Sequence, residues 1–213
     1  MNIKTLPLSS NCYIVSDEDG KTVVFDPCER GEELYAYVKE LNLELCAVII
    51  THAHFDHIYG LSDFMKCVEN DGNKIPVYIH SADAAAMSDS EKNLSKPLFR
   101  TPYTYTGTLR CVFDGDTVNV GKMSFLVIST PGHTEGSACY ICHKDRTVFT
   151  GDVLFDGSIG RTDFPGGDIG KMKESLKRIL SIMGDYTVYP GHGGTTTLGQ
   201  ERNFNPFVAQ LGL

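Results

Sequence analysis

Three histidines and an aspartate fall within six consecutive residues, His52-Ala53-His54-Phe55-Asp56-His57. At this composition an H-x-H-x-D-H arrangement should arise by chance on the order of once in a thousand chains or less. His52 and His54 are two apart, so in an extended segment they face the same way. Asp56 and His57 then turn into the next helix. Three further signals stand at the ends of strand-like runs. Met123 to Ser129 runs into Thr130-Pro131-Gly132-His133, Thr147 to Thr150 into Gly151-Asp152, and Thr187 to Tyr189 into Pro190-Gly191-His192. Each puts one candidate ligand on a tight Gly or Pro turn, where backbones can approach closely. The set is His52, His54, Asp56, His57, His133, Asp152 and His192. The other two histidines, His80 and His143, have no such context and are read as ordinary polar residues.

Nitrogen and oxygen donors without thiolates suit Zn, Mn or Fe. Seven are too many for one tetrahedral site. They fit two divalent cations about 3.5–4 Å apart, bridged by a carboxylate and a hydroxide. Such a pair lowers the pKa of bound water, giving a nucleophile at neutral pH, and polarises the carbonyl under attack. Zn is the expected metal, with Fe or Mn as alternatives.

The elements that must carry these residues follow from hydrophobic periodicity. Cys12 to Val15 and Thr22 to Phe25 are strand-like, and Asp26-Pro27 stops the second. Glu32 to Leu41 predicts a helix with Leu34, Val38 and Leu41 on one stripe. Cys46 to Ile50 predicts a buried strand leading straight into the histidine cluster. Leu61, Phe64, Met65 and Val68 have helical spacing, and Val77 to Ile79 is a short strand. Residues 88–107 are polar and carry Pro97 and Pro102, which predicts a long surface loop beside the site. Strands resume at Leu109–Phe113, Thr117–Val120, Met123–Ile128, Ala138–Ile141 and Thr147–Phe149. Asp168 can cap a helix with the stripe Ile169, Met172, Leu176 and Ile179. Thr187 to Tyr189 is a last strand, and Thr197 with Gln200 gives a capping-box pattern for a short helix ending near Pro206. Strands, helices, strands, then helices predict an α/β fold of two packed sheets with helices outside.

The 213 residues suit one domain spanning 1–213. With 41% hydrophobic and 22% charged residues, disordered, collagen-like and coiled-coil classes are excluded. The balance of 19 basic against 27 acidic residues, net −8, disfavours nucleic acid and favours a small-molecule substrate. The apolar run Leu45–Ile50 is far short of the ~20 residues a membrane helix needs, and Met1–Asn11 lacks the pattern of an export signal. The seven cysteines are scattered; Cys12, Cys28, Cys46, Cys67, Cys111 and Cys139 lie in or beside apolar runs. They are expected to be small buried thiols in a reducing cytoplasm. Cys139 and Cys142, three apart on a strand, should face opposite ways and share no metal.

The histidine motif, together with Gly151-Asp152-Val153-Leu154-Phe155, Gly157 to Asp168, and the ending from Gly191-His192 through Glu201 to Phe207, resembles the metallo-β-lactamase superfamily. Within it, the glyoxalase II-like (hydroxyacylglutathione hydrolase-like) hydrolases are the similar branch. The resemblance implies an αββα sandwich of two mixed sheets with the site between them. It implies that His52, His54 and His133 hold a first metal, that Asp56, His57 and His192 hold a second, and that Asp152 lies between. The chain stops soon after His192 and so resembles the short bacterial form, which lacks a C-terminal glutathione-binding helical domain.

The implied reaction is hydrolysis of a thioester such as S-lactoylglutathione. Asp56 and Asp152 are the expected catalytic residues, and Arg161 is the candidate anchor for a substrate carboxylate, unless it forms an ion pair with Asp163 or Asp168. The stretch Gly160-Arg161-Thr162-Asp163 also resembles sulfur dioxygenases, which act on persulfides and hold a single Fe with two histidines and an aspartate, here His52, His133 and Asp152. A third possibility is a metal-binding sensor without turnover. Oligomeric state is left open.

Overall fold

The computed structural model describes residues 1–213. Two six-stranded sheets stack face to face, with helices covering their outer faces. The first runs in chain order: β1 (Asn2–Pro7), β2 (Asn11–Ser16), β3 (Lys21–Phe25), β4 (Glu44–Ile49), β5 (Val77–His80) and β6 (Leu109–Val112). β1, β2 and β3 pair antiparallel, and β3 to β6 pair parallel. The second sheet contains β7 (Thr117–Val120), β8 (Met123–Ser129), β9 (Ala138–Cys142) and β10 (Thr147–Gly151). A small hairpin, β11 (Leu154–Phe155) and β12 (Ser158–Ile159), interrupts it before β13 (Thr187–Pro190) and β14 (Thr196–Thr197) complete it. Its order is β14-β13-β10-β9-β8-β7, and only β10 and β13 run parallel. Both sheets are therefore mixed, as expected of the αββα sandwich.

The central strands are apolar on both faces because each face meets a different layer. Along β2, Cys12 and Ile14 face one cluster while Tyr13 and Val15 face the other. Tyr13, Phe25, Ile49, Phe125, Tyr140 and Phe149 form the seam between the sheets, where Phe25 and Phe149 stack with centroids 4.1 Å apart. On the outer face of the first sheet lie α1 (Gly31–Glu40) and α3 (Leu61–Asn70), burying Leu34, Tyr35 and Val38, and Leu61, Phe64, Met65 and Val68. The one-turn helix α2 (Phe55–Ile58) leads into α3. On the outer face of the second sheet, α5 (Ile169–Leu180) buries Met172, Leu176 and Ile179. Asp168 caps it by accepting from the Lys171 N–H at 2.9 Å. Thr197 caps α6 (Leu198–Phe204) through the Gln200 N–H at 3.1 Å, and Asn205 starts α7 (Pro206–Gln210).

Four expectations need correction. Residues 88–107 are not simply a surface loop. They contain the short helix α4 (Ser95–Phe99) and bury Asn93, Leu94, Ser95 and Tyr105. Pro97 is tolerated because it sits in the first turn, where its missing N–H would have no helical partner. Cys111 is exposed and Cys46 and Cys67 are half-buried, since strands β4 and β6 and helix α3 each turn one face outward there. Ile169 and Leu41 lie outside their stripes at helix termini; Ile169 is 52% exposed. Phe113 lies past the end of β6 and is exposed. Cys139 and Cys142 do face opposite clusters.

Candidate metal centre

All seven candidate ligands converge at one end of the seam between the sheets. The parallel pairing of β3, β4 and β5 places their C-terminal ends side by side. β4 delivers Thr51 to His54, and α2 then presents Asp56 and His57. The second sheet contributes from β8, β10 and β13, whose ends lead to His133, Asp152 and His192. Three sets of ligand atoms lie within 4.8 Å of one another: His52, His54 and His133; His52, His57 and Asp152; and Asp56, His57 and His192. The first and third sets are the two trios that the resemblance implied. Asp152 reaches both, with Oδ2 3.4 Å from His133 Nε2 and 3.5 Å from His192 Nε2, and Oδ1 3.3 Å from His57 Nε2.

The donor atoms fit divalent metal on an observation independent of any likeness. His52 Nε2, His54 Nε2, His57 Nε2 and Asp152 Oδ1 are buried without a hydrogen-bond partner. Leaving one such group unpaired costs about 1–3 kcal/mol, so His52 Nε2, His57 Nε2 and Asp152 Oδ1, three in one cluster, call for a ligand. His54 Nδ1 and His133 Nε2 approach to 2.8 Å, as two lone pairs directed at one cation would. Burial pushes the His54 imidazole down to about 3 and holds His52 well below its usual value, so both are neutral donors. Burial alone would raise Asp152, but His57 and His192 hold it well below the usual carboxylate range. Hydrogen bonds to Asp152 and Asp56 push His192 up to about 9.

Three of the imidazoles are oriented through the other nitrogen. His57 Nδ1 donates to Asp26 Oδ2 at 2.9 Å. The same carboxylate accepts from the Thr51 N–H at 2.8 Å and the Thr51 hydroxyl at 2.7 Å. Thr51 Oγ1 in turn lies 3.2 Å from His52 Nδ1. His133 Nδ1 donates to the Arg161 carbonyl at 2.8 Å. A buried carboxylate, Asp83, ties the two histidine loops together: it accepts from the Ala53 N–H, the Thr134 hydroxyl and the Gly136 N–H at 2.9, 2.8 and 2.7 Å. The turn before His192 is held from the first sheet. Asn11 Nδ2 and the Tyr13 hydroxyl donate to the Pro190 carbonyl at 3.0 and 2.6 Å. A Cβ on Gly191 would sit 2.1 Å from Asp152 Oδ1 and 2.8 Å from His57 Cε1, so only glycine lets this turn approach the cluster.

Asp26, Asp83, Asn11 and Tyr13 escaped the sequence. Asp26 registered only as a strand-stopping Asp-Pro. The one available signal was an acid at the end of an apolar strand, and that strand's pairing with the one carrying the histidines is a tertiary fact. His80 and His143 stay outside the cluster, His80 bonding Ser129 at 2.7 Å and His143 bonding Tyr186 at 2.9 Å.

Above the ligands lies a cavity of about 450 Å³, floored by His54, Asp56, His133, Asp152 and His192. A larger cavity of about 780 Å³ lies elsewhere, beside Met65 and Tyr105, and contains no histidine. Arg161 lines the smaller one. Its guanidinium forks onto Asp163 with two 2.7 Å bonds and lies 3.7 Å over the Phe164 ring. The ion pair raised as Arg161's other reading is therefore present.

Comparison with known proteins agrees with this geometry. The family described as the metallo-beta-lactamase superfamily matches residues 5–192. A protein named hydroxyacylglutathione hydrolase GloC, from Haemophilus influenzae, is 31% identical, with 98% of each chain covered. The probable metallo-hydrolase YqgX of Bacillus subtilis is 33% identical over 95% of this chain and 93% of its own. Among solved structures, BLEG-1 B3 metallo-beta-lactamase superposes with a TM-score of 0.89 at 36% identity, covering 97% of this chain and 99% of that one. TTHA1623 in a di-iron-bound form gives 0.83 at 34% identity, covering 97% and 100%.

Proposed function

The chain belongs to the metallo-beta-lactamase superfamily of metal-dependent hydrolases, and on that premise we propose that it is a binuclear, glyoxalase II-like thioesterase acting on S-lactoylglutathione or a similar small thioester. The observation that carries the binuclear reading is the convergence of seven donors, three of whose facing atoms are buried without partners. The hydroxyacylglutathione hydrolase relative supports the thioester reading. His52, His54 and His133 would hold one divalent cation, Asp56, His57 and His192 the other, and Asp152 would bridge them. Two cations so held supply a hydroxide nucleophile at neutral pH and polarise the carbonyl under attack. Zn is the metal proposed; the di-iron form of a relative keeps Fe among the metals to assay.

The chain's own residues then do the following. Asp26 and Thr51 fix the tautomers of His57 and His52, so that Nε2 of each faces the cluster as acceptor. Asp56 Oδ2 lies 3.2 Å from His192 Nε2, so Asp56 would join His192 in holding the second cation and would help orient the nucleophile. The apolar walls of the cavity would flank the reacting carbonyl. No side chain need protonate the leaving group, because a thiolate with a pKa near 8.5 departs unaided near neutral pH.

Metal analysis joined to a thioester panel tests the proposal. The expected result is two equivalents of metal per chain and thioester hydrolysis lost on chelation. One iron per chain with oxygen uptake on a persulfide would instead establish the sulfur dioxygenase alternative. A fully loaded protein inert towards thioesters, lactones and β-lactams would establish a sensor.

A further inference from the structure

The cavity over the metal ligands is polar at its floor and at Arg161. Its walls are carbon: Leu94, Leu98 and Phe99 on one side, Phe155, Ile159 and Phe164 on the other. Leu98 and Phe99 are 50% and 49% exposed, an arrangement that leaves large apolar surface in water beside a reactive centre. That surface is held in place. Phe99 packs on Phe55 with centroids 4.7 Å apart, and Phe55 begins the helix that carries Asp56 and His57. The segment leading into α4 is tied to the same helix by the Phe55 N–H, which donates to the Asn93 carbonyl at 2.8 Å. Asn93 is fully buried, and its amide donates to the Tyr103 carbonyl at 2.9 Å. Leu94 and Arg100, which bracket α4, both adopt left-handed backbone, so the turn is imposed by its surroundings.

The only cation lining this cavity is Arg161, and its fork is taken up by Asp163. A charged substrate group held against these walls, away from the metal ligands, would lose water and find no free partner. A second cavity, of about 310 Å³, opens on the other side of His54 and differs in character. Asp83, Lys92, Thr134 and Glu135 line it. A thioester has two arms, and the two cavities meet at His54. A polar thiol arm matches the second, which leaves the acyl arm to the first.

We propose that the 450 Å³ cavity is an acyl pocket, with Leu98, Phe99 and Phe155 as its specificity-determining residues, and that the preferred substrates are thioesters of apolar acyl groups. This rests on the thioesterase reading and narrows its substrate class. The test is a series of thioesters of one neutral thiol carrying acetyl, butyryl, hexanoyl, benzoyl and lactoyl groups. For the metal-loaded wild type, kcat/KM rises roughly fourfold for each added methylene until the pocket is full. Phe99→Ala and Leu98→Ser each lower the hexanoyl-to-acetyl ratio roughly tenfold. Ketone analogues, with methylene in place of sulfur, give a readout without turnover: calorimetry shows the same chain-length slope in Kd and the same flattening. Melting curves establish that each variant is folded. A flat series in an active enzyme overturns the acyl pocket and leaves the hydrolase intact. So does a slope that follows the thiol when the acyl group is held constant. If no thioester is hydrolysed, the thioesterase reading fails, while the ketone titration still decides whether the pocket selects apolar chains.

Discussion

At the floor of the cleft His57 is fully buried, and its two nitrogens are committed, one to Asp26 and one to the cluster. Asp83 joins the loops of His54 and His133 by three hydrogen bonds. At the wall, Leu98 and Phe99 stand half exposed on a one-turn helix with left-handed residues at both ends. The floor draws on both sheets and six strand ends, whereas this part of the wall rests on the short segment around α4 and its contacts with Phe55. Chemistry that must hold two cations near fixed spacing needs donors with no freedom left. A surface that must admit different acyl groups needs only shape and apolarity. Substitutions at the floor should therefore change metal content and rate together, whereas those at the wall should redistribute rates among substrates.

The largest break in that contrast comes from Asp152. Asp152→Ala removes the one carboxylate within reach of both histidine trios, and kcat/KM should fall by at least about a thousandfold. His80→Ala, outside the cluster, should leave turnover near wild type and lower stability by only about 0.5–1.5 kcal/mol, for its bond to Ser129. Equal kinetic losses in folded variants would remove the special place given to Asp152.

Next in size is the partition of metals. His52→Ala and His192→Ala should each retain about one equivalent but lose different ones, because they belong to different trios. Elemental analysis with and without a competing chelator separates the two. Full stripping should also lower Tm, since ligand bound only by the folded chain stabilises it by mass action. Two full equivalents in both variants would defeat the assignment.

Asp26→Asn probes one layer further out. An amide can still accept from Thr51 but no longer carries the charge that faces His57 Nδ1–H, and metal affinity should weaken about 10- to 100-fold. Restoration of activity by excess metal would show that Asp26 acts through His57 rather than on substrate. A variant with unchanged metal affinity and lost activity would speak against a positioning role.

The smallest effect is expected at Arg161, where floor and wall meet. An exposed ion pair contributes about 0–1 kcal/mol, so Arg161→Ala should barely move Tm. With the guanidinium already forked onto Asp163, KM for a carboxylate-bearing thioester should rise less than about tenfold, and kcat should hold. A rise beyond tenfold, confined to carboxylate-bearing substrates, would restore Arg161 as the carboxylate anchor and weaken the contrast between floor and wall.

How much of this was present in the chain itself depends on the range of the interactions. The seven donors were legible because metal chemistry restricts residue types, because four of them cluster just after an apolar strand, and because the other three follow apolar runs on Gly or Pro turns. The helices around Leu34, Phe64 and Leu176 and the caps at Asp168 and Thr197 were legible because 3.6-residue periodicity and capping are local. Tertiary structure alone decided what lies behind and above the donors. Asp26 became the partner of His57 because β3 and β4 run parallel, so that residues 31 apart in sequence meet at one sheet edge. Asp83 and Asn11 gained their roles in the same way, across 53 and 179 residues. The segment 88–107 has polar composition and so looked like solvent-facing loop. Burial of Asn93 and Ser95 satisfies its backbone internally and turns Leu94, Leu98 and Phe99 towards the cavity over the candidate ligands. No local pattern carries that outcome, because which face of so short a segment is covered depends on what the rest of the chain packs against it.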